Sequence, residues 1–251
     1  TNIIMMSPDA GIEAVNGTTI HQNIFSTWYR TDIKAKMISE YMAKSGVKKL
    51  AQIYENDSYY ADFSARIKKY AEQNGIQIVA TELINPGAVD IRTQAIKIKN
   101  SGADAIMFAL YDEKATFNFL KTRNDLFLSL PLFGDEFVHD HYSKPEYSGL
   151  YENTTYFHAS QPNKDFEEKY IARFGSKPIF GAAPSYDAVM ILAKMLKEKG
   201  ASVDYNSYLR STTFDTVSYG KMTFDEIGGV KTNNNQFDLW KIHKNIATKI
   251  N

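Results

Sequence analysis

Tyr59, Tyr111 and Glu136 are the residues whose types and spacing offer the clearest chemistry. Two tyrosine rings or hydroxyls with one carboxylate make a cage for an ammonium group, through cation–π attraction and a charge-assisted hydrogen bond. The bland alternative is that a chain with 16 tyrosines must place some of them on loops. His139-Asp140-His141 offers a second chemistry, imidazole and carboxylate ligation of zinc. An extended loop would aim both imidazoles the same way, yet no third ligand and no HExxH helix accompany them. Catalytic signatures are missing. Ser58 lacks the flanking glycines of a nucleophile elbow, and Glu55 with Asp57 reads as readily as solvated or helix-capping carboxylates as it does as an acid–base pair. No GxGxxG or GxxxxGK[ST] follows a strand, and Pro86-Gly87 and Gly228-Gly229 read as turns, so no nucleotide cofactor is expected.

The elements that must position these residues recur at nearly even spacing. Short aliphatic runs stand at Leu50 to Tyr54, Ile76 to Ala80, Ala105 to Leu110 and Leu130 to Gly134. Between them lie helical patterns. The first carries Ile33, Met37, Ile38, Tyr41 and Met42 on one face and stops at Gly46; the next two stop at Gly75 and Gly102, and a fourth starts at Asp112. Strands about 25–28 residues apart, each followed by a helix, cannot be joined by tight hairpins and must lie parallel. The fold class is therefore α/β. Ligands of open parallel sheets sit beyond the carboxyl ends of the strands, which puts the loops after Tyr54, Leu110 and Gly134 in view. After Asn153 the rhythm changes: a short strand at Thr155 to His158, a helix begun by Pro162, and a helix around Tyr186 to Lys199 apolar on most of its circumference, which predicts deep burial. Met222 to Phe224 and Phe237 to His243 read as strands that extend an existing sheet.

Composition narrows the function. The 251 residues suffice for one large domain or two small ones, with 43% hydrophobic residues to fill a core. Twenty-nine basic and 29 acidic side chains leave no net field to attract a phosphate backbone, so no nucleic-acid partner is expected. With no cysteine there are no disulfides or thiolate metal sites, and no apolar run approaches the ~20 residues of a membrane span.

Several segments in order carry a resemblance: IFSTWYR at 24–30, VKKLAQIYENDSYYADFSARIKKYAEQNGIQIVATELI at 47–84, VDIRTQAIKIKNSGADAIMFALY at 89–111, LPLFGDEF at 130–137, KYIARFGSKPIFGAAPSYDAVMIL at 169–192 and GKMTFDEIGG at 220–229. Together they resemble the periplasmic leucine/isoleucine/valine-binding protein family, the solute-binding components of ABC importers. The resemblance covers nearly the whole chain. It implies a type I periplasmic-binding-protein fold, two Rossmann-like lobes with parallel sheets that trap a ligand between them. Residues 30–155 plus 222–251 would form the complete lobe, and 1–29 plus 156–221 a partial second lobe that lacks about the first hundred residues of a full member, its opening βα units. The missing part is expected to expose a sheet edge at Ile3 to Met6 and apolar surface on the 186–199 helix. Weak ligand binding and self-association of the truncated chain would follow.

The resemblance also implies site residues. Tyr59 matches a ligand-contacting tyrosine, although Tyr60 stands where glycine usually follows; Tyr111 matches a second tyrosine covering the ligand; Glu136 matches the acid that holds the ligand's α-ammonium. Ser7, Asp9, Ala10 and Gly11 align with the loop that receives the ligand's carboxylate, but Gly11 removes a hydroxyl and Asp9 brings a negative charge. The expected partners are a small polar or amino-acid-like ligand, with an amine or amide as consistent as leucine, and the membrane subunits of an ABC permease. The expected location is periplasmic or extracellular and membrane-associated, with no cofactor, no metal and no catalysis. A ligand-sensing domain on the same fold and an α/β enzyme are the alternatives, the latter favoured only by a metal at His139 and His141.

Overall fold

A computed structural model describes residues 3–17, 19–200, 204–233 and 235–250. The chain forms two compact units, one of residues 1–31 and 159–236, the other of residues 32–158 and 237–251, so it passes between them three times.

The smaller unit opens with β1 (Met5–Ser7), α1 (Ile12–Asn16) and β2 (Ile24–Ser26), the two strands being parallel partners. The chain then builds the larger unit as α2 (Thr31–Lys44), β3 (Lys49–Glu55), α3 (Ser58–Gln73), β4 (Gln77–Ile84), α4 (Arg92–Asn100), β5 (Ala105–Ala109), α5 (Glu113–Asp125), β6 (Leu132–Gly134), α6 (Val138–His141) and β7 (Thr154–Ala159). It returns to the smaller unit with α7 (Lys164–Phe174), α8 (Ala182–Lys199), α9 (Tyr205–Ser211), β8 (Phe214–Thr216), β9 (Gly220–Phe224) and β10 (Val230–Thr232), and ends in the larger one with β11 (Phe237–His243) and β12 (Ile246–Ile250).

The larger unit is one seven-stranded sheet ordered β12-β11-β7-β6-β5-β3-β4. From β4 to β7 every neighbour is parallel. All five residues of β5 are buried, as a strand covered on both faces by crossover helices requires. Ile53, Ile106, Phe108, Phe119, Tyr156 and Ile242 belong to its core. Strand order reverses at β3, whose successors β4 and β5 lie on opposite sides of it. The crevice at the carboxyl ends of β3 and β5 is thus the switch point where open sheets take ligands.

Three expectations differ from what forms. Residues 222–232 do not extend the large sheet: β9 pairs antiparallel with β8 and β10, and the Phe224 ring meets Phe25 edge-on at 5.0 Å, so this stretch belongs to the smaller unit's core and only 237–250 joins the larger. A tight return between Thr216 and Gly220 sets β9 beside β8, and alternation alone could not tell which sheet it would enter. Helix α8 buries the stripe Ala183, Pro184, Asp187, Ala188, Ile191 and Met195, while Tyr186, Val189, Met190 and Leu196 are exposed. Exposure of this helix face departs from the burial its pattern predicts but, like that of Ile3 and Met5, agrees with the exposed surface that the resemblance implied. Finally, Val138 to His141 is a turn of helix rather than an extended loop.

Candidate ligand-binding site

Each element that ends at the switch point delivers a polar side chain. Asp57 caps α3 by accepting the Tyr60 N–H at 2.9 Å, so Tyr59 lies in the helix's first turn rather than in a loop. Glu55, the last residue of β3 and buried, accepts the N–H groups of Tyr111 at 3.0 Å and Asp112 at 2.7 Å. Both carboxylates of the sequence's imagined acid–base pair are therefore committed to backbone donors. At the end of β6, Gly134 lets α6 fold back closely: a Cβ there would stand 2.5 Å from Val138 Cγ2 and 3.0 Å from the Phe108 ring. The next two residues, Asp135 and Glu136, are buried beneath that turn.

Tyr59 and Glu136 do converge. The Tyr59 hydroxyl donates to Glu136 Oε1 at 3.2 Å. Sequence reasoning missed the third member: Lys34, in the first turn of α2, donates to Glu136 Oε1 at 2.8 Å and to the Tyr59 hydroxyl. Only 3% of Lys34 is exposed. Its ammonium lies 4.9, 5.1 and 5.4 Å from the ring centres of Tyr59, Phe63 and Phe157. A cage of rings and a carboxylate is thus present, built from Tyr59, Phe63, Phe157 and Glu136 rather than from Tyr59, Tyr111 and Glu136, and the cation inside it is the chain's own. The signal was there to read. Thr31, Lys34, Ala35, Ile38, Ser39 and Met42 form the buried stripe of α2, whereas Ile33, expected on that stripe, is exposed. A lysine at the spacing of an apolar stripe must find an acid.

Electrostatics follow from this arrangement. Burial alone would drive Lys34 toward its neutral form, but Glu136 and Tyr59 outweigh it and lift the ammonium's pKa above its ordinary value. Burial pushes the Tyr59 and Tyr60 hydroxyls up, so both remain protonated. Asp135 is also pushed well above the usual carboxylate range, by burial first and by the neighbouring Glu136 second. Glu136 Oε2, Asp135 Oδ2 and the Tyr60 hydroxyl are buried and have no hydrogen-bond partner.

Tyr111 stands apart from the cage. It is 62% exposed at the end of β5, its ring edge-on to Phe137 at 4.8 Å. The Ser7 to Gly11 loop is described within the smaller unit. The Ser7 hydroxyl accepts the Ala10 N–H at 3.1 Å, the Ala10 carbonyl accepts the Ser26 hydroxyl at 2.7 Å, and Asp9 is exposed. A Cβ on Gly11 would stand 3.1 Å from Thr31 Oγ1, which occupies the space a larger residue would need.

The two imidazoles of the His139-Asp140-His141 run diverge. His139 meets the Tyr156 hydroxyl at 2.8 Å and the His158 ring at 4.2 Å, whereas His141 stacks on Tyr147 at 5.6 Å. Burial, and then His158, lower His139 to a pKa of about 4. Among the described residues, no three histidines or acids are grouped to hold a metal ion.

Comparison with known proteins gives this edge its context. The periplasmic binding protein family matches residues 1–238. The chain belongs to that family. Its members' fold recurs in solved structures of low sequence identity. A solute-binding protein of an ABC transporter from R. palustris, solved in complex with benzoate, is 17% identical with a TM-score of 0.79, over 99% of this chain and 70% of that one. A substrate-binding protein from Desulfitobacterium hafniense in complex with Leu is 21% identical (TM-score 0.73; 99% and 73% covered), and a leucine-binding protein from Thermotoga maritima is 15% identical (TM-score 0.80; 100% and 73% covered). No curated protein matches by sequence. The larger unit with its parallel sheet is the α/β architecture of type I periplasmic binding proteins. No helix among the described residues is long and apolar enough to cross a membrane.

Proposed function

We propose that this chain is the solute-capturing component of an ABC importer, held outside the cytoplasmic membrane, which delivers a small polar or amino-acid-like solute to the membrane subunits of a permease. The observation that carries this reading is the family match over residues 1–238. The site supports it in kind. Tyr59, Glu136 and Tyr111 stand at the carboxyl edge of a parallel sheet, next to its switch point, and the nearby acids Glu55 and Asp57 hold backbone rather than a reacting group. Affinity would come from fixed donors, acceptors and rings.

The test is a melting-temperature screen of the full-length protein against amino acids, amines, hydroxy acids, aromatic acids, amides and sugars, followed by calorimetry on any hit. A captured solute at about 100 times its Kd stabilises the folded state by about 2.7 kcal/mol. A panel in which nothing raises the melting temperature, or a hit that is chemically converted, overturns the reading.

A further inference from the structure

The carboxyl edge of the larger sheet holds three buried acids, and two of them already hold donors of the chain itself. Glu55 Oε2 takes two backbone N–H groups, Asp135 Oδ1 takes the Phe137 N–H while its Oδ2 is buried without a partner, and Glu136 Oε1 takes Lys34 and Tyr59. The Lys34 ammonium sits against three aromatic rings and one carboxylate, which is what an ammonium-binding cage provides. Bringing a second ammonium into that cage would set two like charges side by side in a desolvated space, with one carboxylate between them. Evicting Lys34 would strand a charge that is 3% exposed.

What the edge still offers is two buried, unpartnered carboxylate oxygens, Asp135 Oδ2 and Glu136 Oε2, the latter an acceptor in a locally neutral ion pair flanked by rings. A neutral hydroxyl or amide N–H can satisfy it without adding charge. We infer that Lys34 occupies, from within the chain, the place that a ligand's ammonium would otherwise fill, so that this edge selects solutes whose head group is a neutral hydrogen-bond donor and discriminates against primary amines. This rests on the solute-capture reading and narrows its solute class.

The test compares L-leucine with its hydroxy counterpart, 2-hydroxy-4-methylpentanoate, and benzylamine with benzyl alcohol, each titrated by calorimetry into the full-length protein and its Lys34→Met variant. The expected result is that the hydroxyl member of at least one pair binds about tenfold more tightly or better in the natural protein, and that Lys34→Met reverses the order by vacating the cage. If the amine member binds as well as or better than the hydroxyl member in the natural protein, the inference falls while solute capture stands. If no member of either pair binds and no other neutral donor in the screen does, the inference is overturned. The absence of any binding solute at all removes the capture reading with it. Should Lys34→Met fail to fold, the paired change Lys34→Met with Glu136→Gln removes both charges. It is expected to abolish discrimination within each pair, and preserved discrimination would count against Lys34 as its source.

Discussion

Arg30 and Lys34 lie one helical turn apart in sequence, on either side of the first passage between the units, and their surroundings differ in kind. Arg30 donates from Nε to Glu13 at 2.6 Å and from Nη1 to Asp225, and so ties α1 to the loop between β9 and β10. Its planar fork serves two acids on two segments, and the same Asp225 orders its own loop by accepting the N–H groups of Ile227 at 3.1 Å and Gly229 at 2.8 Å. Lys34 has one acid, one phenol and three rings, and sits where the strands of a parallel sheet end. One cation is a staple between segments of a core. The other, more deeply buried, fills a cage of rings beside its acid, and the contrast shows that the part a buried charge plays is read from what surrounds it.

The contrast can be broken from the scaffold side first. Arg30→Met leaves Glu13 and Asp225 buried without a counter-charge, and is expected to cost about 3–5 kcal/mol in urea unfolding. Loss of less than about 1 kcal/mol would mean that the staple is idle. Because its two acids lie on separate segments, changing only one of them is not expected to restore stability.

Lys34→Met should cost about 3 kcal/mol by the same measurement, and here a single second change, Glu136→Leu, should recover most of it. A double variant no more stable than the single one would show that the Lys34 cage, like the Arg30 staple, holds the fold through more than its charge pair.

The smallest effect concerns a third cationic group, one that burial keeps neutral instead of charged. Unfolded His139 takes a proton near pH 6.5 but the folded residue, beside His158, Tyr156 and Trp240, only near about pH 4. Between those values the unfolded chain binds more protons, so stability falls as pH falls through the window. Replacing His139 with Gln should flatten that slope by about 1 kcal/mol once solvent screening is allowed for. Nearby Asp140, whose carboxyl burial raises, contributes in the opposite sense, so the comparison is between the two proteins at each pH rather than along one curve.

Much of this was legible in the sequence, for identifiable reasons. Ile106 to Leu110 announces a doubly covered strand because a parallel sheet buries both of its faces, and Glu136 and Tyr59 could be placed together because both follow strand ends. Lys34 escaped notice because a lysine in a helix ordinarily reads as solvated; its partner lies 102 residues away, and only the folded sheet brings them to 2.8 Å. Met222 to Phe224 was assigned to the wrong unit because period-two alternation reports a half-buried strand without naming its neighbour. The exposed half of α8 runs against the helix's own apolar pattern, which states a preference for cover and not its presence; the expectation of exposed surface there came only from the partial lobe that the resemblance implied.

Glu55 gives one more result. By gripping the main chain at 111 and 112 from the adjacent strand, it settles the shape of that exit before any visitor arrives, and the ring at 111 is carried on a backbone whose disorder was spent during folding. Side chains at that position can then be exchanged as interchangeable tips on a fixed handle, without disturbing the course of the chain beneath them.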